Sequence, residues 1–453
     1  MKKLLTLLFS LCLATTLTAA TYDVAALGAK NDGVTNNVKI IQQAIDDCSA
    51  AGGGVVLLQG GGQYMTSTLY MKSYVTLRIE SGTTLLASPN IDDYPTDTHK
   101  IMYKRESHMN RCFIYAENAR EFSFEGYGTI DGNGHEENFP NTRPMLLRFK
   151  DCERIRINDL TLCNPAAWTS AILYCDDIVV SGIRIDSVVN KNGDGLDFDG
   201  CTNVRVSDSN FNNSDDCICL QTSRRDKPCK NVVITNCTFK TKWAGIRIGL
   251  LSMADISQVT VSNCTFNDIL DSGLKIQQNE AGGMSDMTFT NLVMNNVPRP
   301  VLMTFCQQRA CVDEPLDTLD ELKYMKRFIF SNITVDNSML DANSLFIFSG
   351  VPTHAIEDVT LSNVYFVGGG GGTSADAARA DVPEFDLESM KHHWPEYSCL
   401  GGVLPASAIY ARHVNGLTIN NFTAEFVESD ARPLVVTDDV ENYTVTNVRE
   451  KIK

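Results

Sequence analysis

One eight-residue phrase constrains this chain more than any other feature. It alternates apolar and polar residues, breaks at Asn, Asp or Gly, then alternates again. It reads "IRINDLTL" from Ile155, "IVVSGIRI" from Ile178, "VRVSDSNF" from Val204, "VVITNCTF" from Val232, "VTVSNCTF" from Val259 and "MTFTNLVM" from Met287. Later copies begin at Phe328, Val359 and Leu417. The first six start 23, 26, 28, 27 and 28 residues apart. Alternation with period two is the mark of a strand and the break is a turn. A repeat in the twenties with no helical pattern between copies is one coil of a solenoid. The expected fold is all-β, a single-domain right-handed parallel β-helix. Asn236, Asn263, Asn291, Asn332, Asn363 and Asn421 share one place in the repeat. Asn tolerates left-handed backbone, so these six predict a stacked turn ladder.

A solenoid must close its ends. Val38, Ile41, Ile45 and Cys48 recur at helical spacing and predict a short amphipathic capping helix over the first coil. Before it, "MKKLLTLLFSLCLATTLTAA" has two lysines, an apolar stretch and small residues, the pattern of a secretory signal peptide ending near Ala20. The β-helix is then expected over 21–453, in an exported or periplasmic protein. The wide gap between Val359 and Leu417 marks a long loop insertion at about 368–403, containing "GGGGG" and "HHWPEY". His393 and Trp394 there are candidates to roof a binding subsite.

The segments just after these phrases can be stacked too: "DGLDF" from Asp194, "DCICL" from Asp216, "AGIRI" from Ala244 and "SGLKI" from Ser272. Strand alternation sends Leu196, Ile218, Ile246 and Leu274 inward, with Phe198, Leu220, Ile248 and Ile276. The column between them, Asp197, Cys219, Arg247 and Lys275, faces out. Neighbouring rungs lie about 4.8 Å apart, so Asp194, Asp215, Asp216 and Asp197 gather on one patch that Arg247 and Lys275 extend. Carboxylates crowded beside cations can keep one acid protonated while others stay ionised. Three readings of this patch stay open. It is acid–base machinery, or a calcium site with Asn192 as in a polysaccharide lyase, or a non-catalytic sugar-binding face. Trp168 is a candidate stacking platform, and Arg224 a candidate contact to an anionic sugar.

The residues also carry a resemblance. "LGAKNDGVTNNVKIIQQAIDDCSAAGGGVVLL", "VTLRIESGTTLLAS", "NGDGLDF" and "SDDCI" resemble glycoside hydrolase family 28, the polygalacturonases and rhamnogalacturonan hydrolases. The resemblance implies cleavage of an α-glycosidic bond in an acidic plant polysaccharide with inversion. It implies Asp215 as general acid, and Asp194 and Asp216 as the pair activating water. Two departures stand out. Ala244 occupies the place of the family's glycine–histidine–glycine histidine, beside Trp243 as in rhamnogalacturonan hydrolases. In the arginine–isoleucine–lysine motif, Lys275 replaces the arginine and Gln277 the lysine. In the family those cations hold a uronate carboxylate. Here Arg247 could serve, since a guanidinium binds a carboxylate bidentately.

Charge narrows the classes further. The net charge of −16, or −18 once Lys2 and Lys3 leave with the leader, argues against nucleic acid as partner. Beyond the leader no stretch is long and apolar enough for membrane insertion. The 15 cysteines do not read as a disulfide scaffold, because Cys152, Cys163, Cys175, Cys201, Cys237 and Cys264 sit beside strand-like runs. Only Cys306 with Cys311 is spaced as a candidate bridge. No metal and no cofactor is expected, and the protein is expected to act as a monomer.

Overall fold

The computed structural model describes residues 20–98, 107–306, 322–390 and 394–451. The segment upstream of Ala20 expected to be a signal peptide, Cys311 and His393 lie outside them. The described chain winds into a parallel β-helix of 32 strands. From Met145 to Thr235 each strand pairs in parallel with the strand three further along, so each of these coils lays down three.

The register follows the columns read from the sequence. Leu196 pairs with Ile218, Ile218 with Ile246 and Ile246 with Leu274. These side chains, with Phe198, Leu220, Ile248 and Ile276, are completely buried. Larger rings stack along the same axis, Phe211 on Phe239 at 5.1 Å and Phe239 on Phe266 at 4.9 Å. Cys152, Cys175, Cys201, Cys237 and Cys264 are buried among these apolar side chains, and Cys163 is half-buried.

The turn ladder forms as its residues predict. All six asparagines hold φ between 54° and 56°. The amide of Asn291 donates to Asn263 at 3.1 Å, Asn332 to Asn291 at 3.2 Å, Asn363 to Asn332 at 3.1 Å and Asn421 to Asn363 at 3.0 Å. Left-handed backbone costs an ordinary residue about 1–2 kcal/mol. A hydrogen bond between rungs, worth about 1 kcal/mol net, offsets that at these four steps, while Asn263 donates instead to Thr235 Oγ1 at 3.4 Å. The ladder extends to Asp208, which accepts from Asn236 at 3.1 Å, and to Asn447 beyond Asn421.

The cap is the helix Val38–Ala50, which buries Ile41, Ala44, Ile45 and Cys48 against the first strands. Val38 is only half-buried, so the seated stripe is one residue narrower at its start than the spacing predicted. The late insertion runs between the strands Ile356–Gly368 and Ile409–Phe426. It carries the short helices Ser374–Ala377 and Leu387–Met390 and a turn of 3-10 helix at Tyr397–Leu400.

Candidate active site

The site lies over the column Asp197, Cys219, Arg247 and Lys275, in register on four successive coils. The column faces outward as strand alternation requires, yet none of it is open to bulk water. Relative exposures are 1%, 4%, 8% and 0% in that order. Loops rise around it and leave a cavity of about 290 Å³. Its lining is Trp168, Asn192, Asp194, Asp215, Trp243, Arg247, Leu250 and Trp394.

The adjacent aspartates divide their tasks because successive residues at a strand entrance point to different sides. Asp216 turns inward and is nearly completely buried. Its Oδ1 accepts the backbone N–H of Ala244 at 3.0 Å, and its Oδ2 accepts from Arg247 Nη1 at 3.0 Å. Asp215 stays half-buried on the cavity wall, where Oδ1 accepts the N–H of Asp216 at 3.0 Å. Thr241 Oγ1 donates to the Asp215 carbonyl and holds that corner.

Asp194 enters from the preceding coil. One of its carboxylate oxygens, one of Asp216 and Cys219 Sγ lie within 4.8 Å of one another. Asp194 is 6% exposed, and its Oδ1 has no hydrogen-bond partner. Gly195 follows because a Cβ there would collide with the Cys217 carbonyl of the next coil. Ser187 Oγ and the Asn213 amide both donate to the Gly193 carbonyl, the latter at 2.9 Å, fixing the loop that carries Asp194.

Crowding in a dry site sets the proton affinities. Burial, then the charge of Asp216, push the Asp215 carboxyl up to about 7. Burial and the neighbouring carboxylates Asp215, Asp197 and Asp216 raise Asp194 well above the ordinary range. Asp197 is raised likewise, chiefly by burial. Asp194, Asp197 and Asp215 therefore titrate as one cluster. Both oxygens of Asp216 accept from donors, which makes it the natural seat of the negative charge opposite Arg247.

Four expected substrate contacts are corrected. Lys275 does not extend an open basic groove. It is fully buried, with Nζ 2.9 Å from Asp271 and ion-paired to Glu396 of the late insertion. Gln277 is also fully buried, donating to the Pro395 carbonyl at 2.6 Å and accepting from Arg247 Nη2 at 3.1 Å. Arg224 is not in the cavity lining. Its guanidinium bonds Asp226 at 2.9 and 2.8 Å and lies 5.2 Å over the ring of Tyr174. Asp197 lies beneath the floor rather than on it. Trp168 forms part of the wall, backed by Met109, Met145 and Ala171.

Sequence reasoning missed Arg143. Buried at 2%, it donates to the carbonyls of Ala166 and Lys191 at 3.3 and 2.6 Å and to Asn192 Oδ1 at 2.7 Å. It thereby ties the Trp168 loop to the Asp194 loop. No local pattern marks it, since its partners are loop carbonyls of later coils. Asp271, Arg299 and Glu396 also escaped, because the ion pairs Asp271–Arg299 and Lys275–Glu396 join separate segments.

These features define the protein first by class: a parallel β-helix with a carboxylate-floored, tryptophan-walled cavity, a surface shaped for a sugar chain. Its sequence then places it. The chain belongs to glycosyl hydrolases family 28, whose model matches residues 65–383. It is 25% identical over 393 residues to the exo-poly-alpha-D-galacturonosidase of Dickeya chrysanthemi, covering 72% of this chain and 63% of that protein. To polygalacturonase-2 of Solanum lycopersicum it is 24% identical over 402 residues, covering 83% of this chain and 81% of that one. The fold is shared with the family 28 exopolygalacturonase of Yersinia enterocolitica at a TM-score of 0.66 and 21% identity, over 95% of this chain and 78% of that one. The chain spans 49–63% of the length of several curated relatives it matches.

Proposed function

We propose that the protein is an exported glycoside hydrolase that cleaves an α-glycosidic bond in a pectin-type acidic polysaccharide or oligosaccharide by single-displacement inversion. The observation that carries this reading is the pairing of two differently placed aspartates. Asp215 faces the cavity with its carboxyl held up to about 7, while Asp216 is locked to Arg247. An inverting enzyme needs one protonated carboxyl on the leaving-group side and carboxylates that hold water on the other.

In this mechanism Asp215 gives its proton to the glycosidic oxygen as the bond to the anomeric carbon lengthens. Asp194 and Asp216 hold a water between them and take its proton as its oxygen attacks the opposite face. Arg247 pairs with Asp216 and holds its carboxylate in place, and the tryptophans bound the sugar. Family membership and the name of the Dickeya chrysanthemi relative favour a galacturonide and action from a chain end. A wall of inserted loop at the cavity suits that end. A lyase reading would need calcium on hard oxygen ligands. Here the grouped atoms include a thiol, and Arg247 already supplies the cation beside Asp216.

Incubation with homogalacturonan, rhamnogalacturonan I and rhamnogalacturonan II fragments, with and without EDTA, tests the proposal. Saturated products from one substrate, equal in both conditions, are expected. An ultraviolet-absorbing unsaturated product that EDTA abolishes means a lyase. Binding of a fragment with no product means a sugar-binding β-helix.

The acid's position also predicts the pH profile. Asp215 works only when protonated, so kcat/KM should fall as pH rises through about 7. A profile that keeps rising beyond pH 8 removes Asp215 from the acid role.

A further inference from the structure

The two residues in the family's carboxylate-clamp positions, Lys275 and Gln277, both point at the late insertion. Lys275 Nζ pairs with Asp271 at 2.9 Å and with Glu396, and Asp271 pairs in turn with Arg299 at 3.0 Å. Two anions and two cations cancel, so this chain of charges has none to offer a substrate carboxylate. Their relative side-chain exposures are 0% for Lys275, 11% for Asp271 and Arg299, and 13% for Glu396. The other oxygen of Glu396, Oε1, is buried with no hydrogen-bond partner. Its contact with Lys275 is therefore what makes the burial of Glu396 tolerable.

Neighbouring contacts pull the same way. Gln277 Nε2 donates to Pro395 O at 2.6 Å, and the Arg299 guanidinium lies 4.8 Å over the ring of Tyr397. The Tyr397 hydroxyl donates to Asn343 Oδ1 at 2.7 Å. Directly before Pro395 stands Trp394, which lines the cavity beside Trp243, and Trp243 has Lys275 Nζ 4.9 Å from its ring. Gln277 also touches Arg247, so one set of side chains joins the insertion to the residue that holds Asp216.

We infer that Lys275 and Gln277 are positioning residues that fasten the segment Pro395–Tyr397 against one end of the cavity, so that this segment, and not a pair of free cations, determines which sugar unit is accepted there. The inference rests on the hydrolase reading for its substrate and on the contacts alone for its fastening. The terminal unit then meets the faces of Trp243 and Trp394 and the single guanidinium of Arg247. A chain end fits a pocket walled at one end by this segment, and the interior of a long chain does not.

The experiment uses the full protein with Glu396→Gln, Gln277→Met and the double variant Lys275→Met/Glu396→Leu, which replaces the ion pair by apolar contact. Limited proteolysis of the insertion is read without substrate. Glu396→Gln and Gln277→Met should be cut faster there than wild type, and the double variant should regain resistance. On oligogalacturonides, both single variants should raise KM about tenfold with little change in kcat, and products of internal cleavage should join those from the chain end. The ratio of activity on acidic over methyl-esterified oligosaccharide should stay constant in Lys275→Met/Glu396→Leu, because the lysine does not meet the carboxylate. A collapse of that ratio overturns the inference and returns Lys275 to the substrate. Unchanged proteolysis in both single variants overturns it equally. A wild type inert on every oligosaccharide defeats the hydrolase reading instead, while the proteolysis still decides the fastening.

Discussion

Asparagine in place of Asp215 should abolish measurable turnover while sugar binding survives. A positioned general acid contributes about 10²–10⁴ in rate, and an amide cannot give a proton to a leaving alkoxide. The loss should appear in kcat, with KM or a directly measured Kd little changed. Folding gives the control. The native carboxyl is raised to about 7, so above that pH the protein carries a crowded, poorly solvated charge that the unfolded chain holds freely. Stability contributed by this site is greatest at low pH and declines as pH rises from about 4 through 7. Asp215→Asn removes the penalty, so the variant should melt no lower than wild type at pH 8. A variant that keeps a tenth or more of wild-type kcat would assign the acid elsewhere.

Arg247→Met should be the single change at the site most damaging to stability, and it should cut activity as well. The guanidinium is 8% exposed and bridges Asp216 at 3.0 Å and Gln277 at 3.1 Å. Removing one partner of a buried pair leaves the other uncompensated, at a cost of about 3–5 kcal/mol. Asp216 Oδ2 would lose the donor that positions it beside the water, so kcat/KM should fall by about 10²–10³. Lysine should not rescue it, because one ammonium cannot span two acceptors in the fork that arginine presents. Thermal melting and kcat/KM on the substrate that the pectin-fragment incubation selects, for Arg247→Met and Arg247→Lys together, check this. Near-wild-type activity in the lysine variant would reduce Arg247 to a simple counter-charge.

How far the sequence led depended on how local each signal was. The strand columns were legible because period-two alternation fixes facing without reference to distant chain, and the observed pairs Leu196–Ile218–Ile246–Leu274 follow it. The asparagine ladder was legible because one residue type meets a backbone demand that few others can. The gathering of Asp194 with Asp216 came from one-coil offsets alone. Lys275 shows where this stops. Its outward direction was read correctly, but facing outward is not the same as being exposed, and the carboxylate that buries it comes from Glu396, 121 residues later. Arg143 and Arg299 likewise act through loop carbonyls and side chains that no spacing announces. Arg224 failed for the opposite reason, since a strong local partner, Asp226, claims it first.

Displacement with inversion, by Asp215 on one side and Asp194 with Asp216 on the other, is the step on which all these assignments depend. Proton NMR of the wild-type digest, recorded within the first minutes of turnover on the substrate that the pectin-fragment incubation selects, reads that step without any variant. The first-formed reducing end should be the β-anomer, cut from an α-bond, with the α-form growing in later by mutarotation. An α-anomer appearing first would require a covalent intermediate on one of these aspartates, and would contradict the roles assigned to all three.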